Sequence, residues 1–301
     1  GGTLSEKEKS YFKKHFAAAK GILDTYALFT EKGICLLRVG GIFSFILPDI
    51  ILLKNYPDIR KFILENTKIL VIAHWGQAFE AASIDTTSLI LKRTAEVPDK
   101  YSVYVLRDFE QDDIQSGPSL QIPAKYFWDE TGYRFNLYLD QDTYALRKKL
   151  EEESDLLSNY LEIHEGIHSG NIRAKLFPEE RCSSACKPLI FGRGEIGRYY
   201  LKWAGKYVDY RLDIIDRSKK EYANLGKKEF FEVPKLLIRR TGDRIVAAFD
   251  DNNYYCSNNL FVGLQKSRTI GLYYLLGLLN SNLMTWYFRA IQPRVGRLFA
   301  E

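Results

Sequence analysis

The sequence predicts an α/β chain in two parts, the C-terminal stretch of a doubly wound sheet followed by a mixed α+β, strand-rich domain. Three observations carry that expectation. In the first third, the apolar runs Ile42–Leu47, Ile69–Trp75 and Thr86–Leu91 are interleaved with segments of helical spacing. Beyond residue 160, short aromatic and β-branched runs recur, broken by glycine. Finally, 301 residues at 46% hydrophobic composition suffice for one large core or two ordinary ones, and the length favours two.

Leu4–Ala18 has the pattern of a solvated amphipathic helix. Asp24–Leu37 reads as a second helix, with Tyr26, Phe29, Ile34 and Leu37 forming one apolar stripe, ended by Gly40-Gly41. Ile42–Leu47, closed by Pro48, fits a strand buried on both faces of a largely parallel sheet. Pro57–Asn66 is a helix with proline in its first turn, and Ile69–Trp75 and Thr86–Leu91 are further strands. These elements define a first domain over residues 1–98. Residues 99–141 alternate aromatic and polar side chains around turn signals and read as a linker with short strands. A charged helix over Leu146–Tyr160 opens the second domain, 142–301. Its strands are expected at Leu189–Phe191, Arg198–Trp203, Lys235–Arg239, Ile245–Phe249 and Leu260–Leu264, with one late helix from about Ile270.

The totals exclude several classes. Four cysteines give one CxxxC pair and no second half with metal spacing, and the four histidines are scattered, so no metal site is expected and the thiols read as reduced and cytoplasmic. No secretory leader is visible; the chain begins Gly1-Gly2-Thr3, holds a single methionine, Met284, and reads as a fragment truncated at its end as well. Ile270–Phe288 is long enough to span a bilayer, but Asn280-Ser281-Asn282 in its middle points to a buried helix end and not to a membrane. Charge is uneven. Residues 160–301 hold 23 Lys and Arg against 15 Asp and Glu, a net of +8, whereas residues 1–159 carry −3. That asymmetry suits a polyanion-facing second domain.

Gly192-Arg193-Gly194-Glu195-Ile196-Gly197 is a literal GxGxxG after the apolar run Leu189-Ile190-Phe191. A dinucleotide site needs those glycines to open a helix whose amides cradle the pyrophosphate. The following residues, Arg198-Tyr199-Tyr200-Leu201-Lys202-Trp203, are strand-like, so the dinucleotide reading is rejected.

From Asp24 to Arg93, the run Asp24–Lys32, Leu36-Leu37, Gly40-Gly41, Ile46-Leu47-Pro48, Leu64, Phe79 and Asp85-Thr86 resembles the later blocks of adenine-specific DNA methyltransferases of the TaqI-like restriction-modification group. The resemblance implies a doubly wound sheet that binds S-adenosyl-L-methionine. It implies that Phe29 lies near the cofactor adenine and that Phe79 stacks on the target base. Removing an adenine from the helix forfeits stacking that an aromatic ring replaces, which makes the second role chemically reasonable. By its local pattern alone, Phe79 reads as core beyond Ile69–Trp75, and only the family likeness reverses that reading. The family's Asn-Pro-Pro-Tyr, which holds the amine being methylated, does not occur here, nor does any Asn-Pro or Asp-Pro, so no catalytic residue is assigned and this chain by itself is expected to be inactive.

Glu162–Asn171, Lys187-Pro188-Leu189-Ile190, Gly192–Tyr199, Pro234–Arg239 and Leu275–Ser281 resemble the DNA-specificity domain fused to these enzymes. With the first resemblance, the likeness runs from about Leu4 to Phe288. It implies double-stranded DNA as partner, and a nuclease elsewhere on the same polypeptide in some members. The glycines around Ile167-His168-Ser169 allow a tight loop near DNA, with Ser169 and Asn171 able to bond phosphate or base edges. Arg173, Arg193, Arg198, Lys202, Arg239, Arg240, Arg294 and Arg297 are candidate DNA contacts, each equally readable as a solvated surface charge. The rival reading is a non-catalytic DNA-binding specificity module on a methyltransferase-like scaffold.

Overall fold

The computed structural model describes residues 4–21, 23–52, 56–79, 84–107, 120–192 and 194–291. The chain forms two compact units, Gly1–Leu146 and Arg147–Glu301.

The first unit begins with helix α1 (Glu6–His15), set by a capping box between Ser5 and Glu8. Helix α2 (Thr25–Leu36) buries Ala27, Leu28, Thr30, Glu31 and Ile34. The expected apolar stripe is therefore rotated, and Phe29 is 67% exposed. A buried carboxylate accounts for the rotation: Glu31 accepts from the amides of Ala17 (3.0 Å) and Ala18 (2.7 Å), capping the turn that follows α1. Strand β1 (Ile42–Pro48) packs Phe43 against Gly33 of α2, where an added Cβ would meet the ring at 2.3 Å. Helix α3 (Pro57–Asn66) starts at its proline as predicted. Strands β2 (Thr67–Gly76), β3 (Thr86–Arg93), β4 (Ser102–Leu106) and β5 (Leu120–Pro123) and the short helix α4 (Lys125–Trp128) complete the unit.

The sheet order is β1-β3-β2-β4-β5. β3 runs antiparallel to both β1 and β2, β4 parallel to β2, and β5 antiparallel to β4. The short connection 77–85 cannot make a parallel crossover, so β3 folds straight back beside β2 and separates it from β1. β1 is accordingly half-exposed, with Ile42 and Ile46 turned outward, and not buried on both faces as its apolar run suggested. Within 99–141, β4 and β5 extend this sheet, and Phe127, Phe135 and Leu137 join its core. The fully buried Arg60 of α3 donates to the carbonyls of Ile51 (2.8 Å) and Gly132 (2.8 Å), fastening the turn at 131–133 to the helix.

Helix α5 (Gln141–Glu152) starts and stops earlier than its charge pattern suggested. Asp140 accepts from the Thr143 amide (2.7 Å) and caps the start. At the other end Glu151, Glu152 and Glu153 oppose the helix dipole.

The second unit holds β6 (Leu161–Glu165), α6 (Arg173–Leu176), β7 (Cys186–Ile190), the hairpin β8 (Ile196–Gly197) and β9 (Tyr200–Leu201), β10 (Tyr207–Asp209), β11 (Lys235–Arg239), β12 (Ala247–Asp250), β13 (Tyr255–Cys256), β14 (Leu260–Gln265), α7 (Leu272–Leu279) and α8 (Asn282–Ile291). An antiparallel sheet runs β12-β11-β14-β6, and a second sheet runs β10-β7-β13. Side-chain alternation on β11 sends Leu236 and Ile238 toward α7 and Leu237 into the core shared with Leu189, Ile190 and Val208. Lys235 and Asp250 face each other across β11 and β12, both 0% exposed, and form an ion pair.

The apolar stretch from Ile270 is divided at Asn280, which is 0% exposed. Its Oδ1 accepts from the Ala247 amide (3.0 Å) and its Nδ2 donates to the Ala247 carbonyl (2.9 Å), so one side chain pairs with the free edge of β12 as a neighbouring strand would. Among the described residues no helix is long and apolar enough to cross a membrane.

Candidate functional site

In the first unit, β1 and β2 point the same way, because each is antiparallel to the strand between them. Their carboxyl ends therefore lie together, where open α/β sheets bind ligands. Three backbone and side-chain links gather this end: the Asp49 amide donates to the Asp85 carbonyl (2.9 Å), Thr86 Oγ1 to the Gly76 carbonyl (3.3 Å), and Thr87 Oγ1 to the Ala73 carbonyl (2.9 Å). Gly76 takes a φ of +61°, which turns the chain sharply out of β2. Three residues on, Phe79 stands 50% exposed. Its ring is not core packing for β2, so the local-pattern alternative does not describe it.

Beneath this turn lie Asp49, His74 and Asp85, each offering one ligand atom within 4.8 Å of the others. His74 Nε2 is 3.7 Å from Asp49 Oδ2. These donor types suit a divalent cation. The three are separated in sequence, and although Asp85 stands in a block of the family resemblance, nothing in the spacing links it to Asp49 and His74, so sequence reasoning passed over the cluster. Phe29 lies one turn before Gly33, along the α2 face that meets Phe43, and its exposed ring is free to stack on a planar group.

In the second unit, Ser169 and Asn171 lie in one turn, and Arg173 opens α6 just beyond it. The turn's glycines serve the protein's own packing: a Cβ at Gly166 would meet the Ser257 carbonyl oxygen at 2.2 Å, and one at Gly170 the Tyr222 oxygen at 1.8 Å. Asn171 is committed within the fold, its Oδ1 accepting from the Tyr222 amide (2.9 Å) and its Nδ2 donating to the Lys220 carbonyl (3.1 Å). Ser169 is half-buried, and its carbonyl accepts from Ile172 (3.1 Å). Arg173 is exposed, its guanidinium 4.4 Å from the centre of the Phe191 ring. Lys206 approaches the same ring at 5.2 Å, and Arg173, Lys206 and Phe191 line an open cavity of about 540 Å³.

The remaining basic residues divide by environment. Arg198 and Lys202 are both exposed, and Arg198 donates to the Asn280 carbonyl. Arg239 ends β11 with its guanidinium against Gly242. Arg240 pairs with Glu165 (3.3 Å) and lies 5.7 Å from the Phe261 ring centre. Arg193, Arg294 and Arg297 fall outside the described residues.

The GxGxxG stretch opens a hairpin and not a helix. Glu195 turns inward, its carboxylate accepting from the amides of Phe191 (2.7 Å), Gly192 (3.3 Å) and Ala204 (3.2 Å). An internal anion thus already holds amides of the loop, and a pyrophosphate finds no cradle there.

Residues 2–81 match the Eco57I restriction-modification methylase family, and residues 187–301 match the TaqI-like C-terminal specificity domain. The chain is 30% identical over 152 residues to the type II restriction enzyme and methyltransferase RM.Eco57I of Escherichia coli, covering 50% of this chain and 14% of that protein. It is 20% identical over 285 residues to the type II methyltransferase M.TthHB8I of Thermus thermophilus, covering 94% and 61% respectively. The chain thus spans less than two thirds of either relative. Among solved structures it resembles the Type IIL restriction-modification enzyme MmeI in complex with DNA, with a TM-score of 0.56 at 15% identity over 99% of this chain and 43% of that one. It also resembles a nuclease-deletion mutant of the Type ISP restriction-modification enzyme LlaGI, with a TM-score of 0.53 at 10% identity over 94% and 36%. At such identities these two likenesses concern the fold alone. With residues 2–81 matching a methylase family and residues 187–301 a specificity domain, the two units are similar to successive parts of restriction-modification methyltransferases.

Proposed function

We propose that this chain is part of a site-specific DNA methyltransferase that transfers a methyl group from S-adenosyl-L-methionine to the exocyclic amine of adenine. In this reading Phe79 stacks on the target base after it leaves the helix, Phe29 contacts the cofactor adenine, and the second unit recognises duplex DNA in the cytoplasm. The half-exposed ring of Phe79, at the carboxyl ends of β1 and β2, is the observation that carries the proposal. S-adenosyl-L-methionine supplies the methyl group. Of the residues described, the exposed aromatic ring of Phe29 suits its adenine end. Phe29, Leu36, Ile42 and Ile46 leave an apolar stretch of α2 and β1 open, which supports reading the sheet as continuing into other parts of the whole protein. The match to a TaqI-like specificity domain over residues 187–301 supports DNA as the partner, as does the likeness to MmeI, solved in complex with DNA.

The test is Phe79→Ala in the whole protein, with labelled methyl transfer followed by hydrolysis of the DNA to its bases. Stacking on one base is worth about 1–3 kcal/mol, so methylation should fall roughly 5- to 150-fold, with label confined to N6-methyladenine and DNA affinity little changed. Phe79→Tyr should restore most of the rate. Wild-type turnover by the alanine variant, or label appearing in cytosine, would overturn the proposal.

A further inference from the structure

Cys182 and Cys186 place their sulfurs 3.1 Å apart, although the chain between them is a non-helical turn and the two residues differ in access. Cys182 is exposed, and Cys186 is buried as the first residue of β7. We propose that these two thiols form a reversible disulfide, a covalent modification site. A disulfide needs the sulfurs at about 2.05 Å, so closure requires the flexible side of the pair to move by only about 1 Å. Cys186 is fixed by its register opposite Asp209 of β10, whereas Cys182 stands on the preceding loop and can make that movement.

The surroundings divide the chemistry between the two sulfurs. Hydrogen bonding to Cys186 raises the Cys182 thiol, and the nearby Asp209 carboxylate adds to this. Burial works against ionisation of Cys186, but hydrogen bonds from Cys182 and Ser183 outweigh it and leave that thiol lowered. Cys182 is thus the sulfur an outside reagent can reach, and Cys186 the one that resolves. With a small dialkyl disulfide such as oxidised glutathione, the Cys182 thiolate attacks one sulfur and releases the first glutathione thiolate. The Cys186 thiolate then attacks Cys182 of the mixed disulfide and releases the second. Two protein thiols lose their protons and two electrons in total, and one glutathione disulfide becomes two thiols.

The bond would have a local consequence. Glu179, three residues before Cys182, and Leu189, three residues after Cys186, both line the cavity at Arg173, so the crosslink joins the two segments that carry them.

The experiment treats the full chain with oxidised glutathione and follows free thiols and the masses of peptides cut without reduction. Four thiols should fall to two, with a peptide 2 Da lighter linking Cys182 to Cys186, and dithiothreitol should restore all four. Cys186→Ser should stop at a glutathione adduct on Cys182. Cys182→Ser, an exposed change that leaves the core intact, should show no adduct on Cys186 in the native state. Retention of four thiols, a stable adduct on the wild-type chain, or crosslinking through Cys35 or Cys256 would overturn the inference.

Discussion

Asn280→Ala tests how the second unit closes the free edge of its sheet. Ala247 is 0% exposed and pairs with Ile238, so its own amide and carbonyl face away from β11. The amide is held by Asn280 Oδ1, while the carbonyl receives both Asn280 Nδ2 and the Tyr199 amide (3.0 Å). Alanine removes two hydrogen bonds, each worth about 0.5–1.5 kcal/mol net. It leaves the carbonyl with Tyr199 but strands a buried amide, at about 1–3 kcal/mol. The loss should be about 2–6 kcal/mol, a large share of the 5–15 kcal/mol typical of a domain. Amide hydrogen exchange in the peptide spanning β12 reads this within the second unit, and a tenfold change per 1.4 kcal/mol gives acceleration of roughly 30- to 20,000-fold. Ser281→Ala serves as the control. It removes only the hydroxyl that accepts from Met284 (3.0 Å) at the start of α8 and should cost about 1 kcal/mol. Exchange at β12 within threefold of wild type in Asn280→Ala, or an equal effect from Ser281→Ala, would refute the strand-mimic role.

Lys235→Met should cost about 3–5 kcal/mol in urea unfolding, because it strands a buried carboxylate, and the double variant Lys235→Met/Asp250→Asn should recover part of that loss. The amides of Asn252 (2.9 Å) and Tyr254 (3.0 Å) use different Asp250 oxygens and asparagine keeps only one, so recovery is partial, and no recovery at all would mean the charge is not the cause. Glu232 gives a pH prediction: although burial opposes its ionisation, bonds from Tyr255, Lys228 and Lys187 hold its carboxyl below the usual range. A depressed folded-state value stabilises the fold above the unfolded value of about 4.3 and loses that contribution as pH falls through the folded value. The stability gap between wild type and Glu232→Gln, followed by thermal unfolding, should thus be full near neutrality and close on acidification below about pH 4; a gap unchanged at pH 3 would contradict it. On the proposed DNA-binding reading, Arg173→Ala in the whole protein should reduce the slope of log affinity against log salt by about 0.9, the value for one released phosphate contact. Arg240→Ala should change it less, since Glu165 already neutralises that charge, and equal slopes for the two variants would argue against the distinction.

What the sequence disclosed and what it hid differ in the range of the interactions involved. The bounds of α3 and β11 were legible because proline at a first turn and a run of β-branched and leucine residues act through neighbouring backbone. Helix α2 was placed correctly but turned wrongly, since its inward face is chosen by Glu31 reaching the amides of Ala17 and Ala18, a partnership periodicity does not encode. The same limit governs the 99–141 stretch, whose strands looked short and isolated until β4 found β2 and Arg60 found Gly132. In the candidate sites it works in two directions. Phe79 is singled out by family likeness alone, and its exposure at the strand ends is a tertiary fact. Gly166, Gly170 and Asn171 looked poised for DNA because small and polar residues suit a loop near phosphate, yet the close backbone of Ser257 and Tyr222 imposes the same composition. Residue type alone therefore identifies a loop built under tight contact without naming the contacting body. Arg173 is different in kind: its charge is held over Phe191 and faces an open cavity, so DNA contact at this turn is better sought at Arg173 than at the glycines or Asn171.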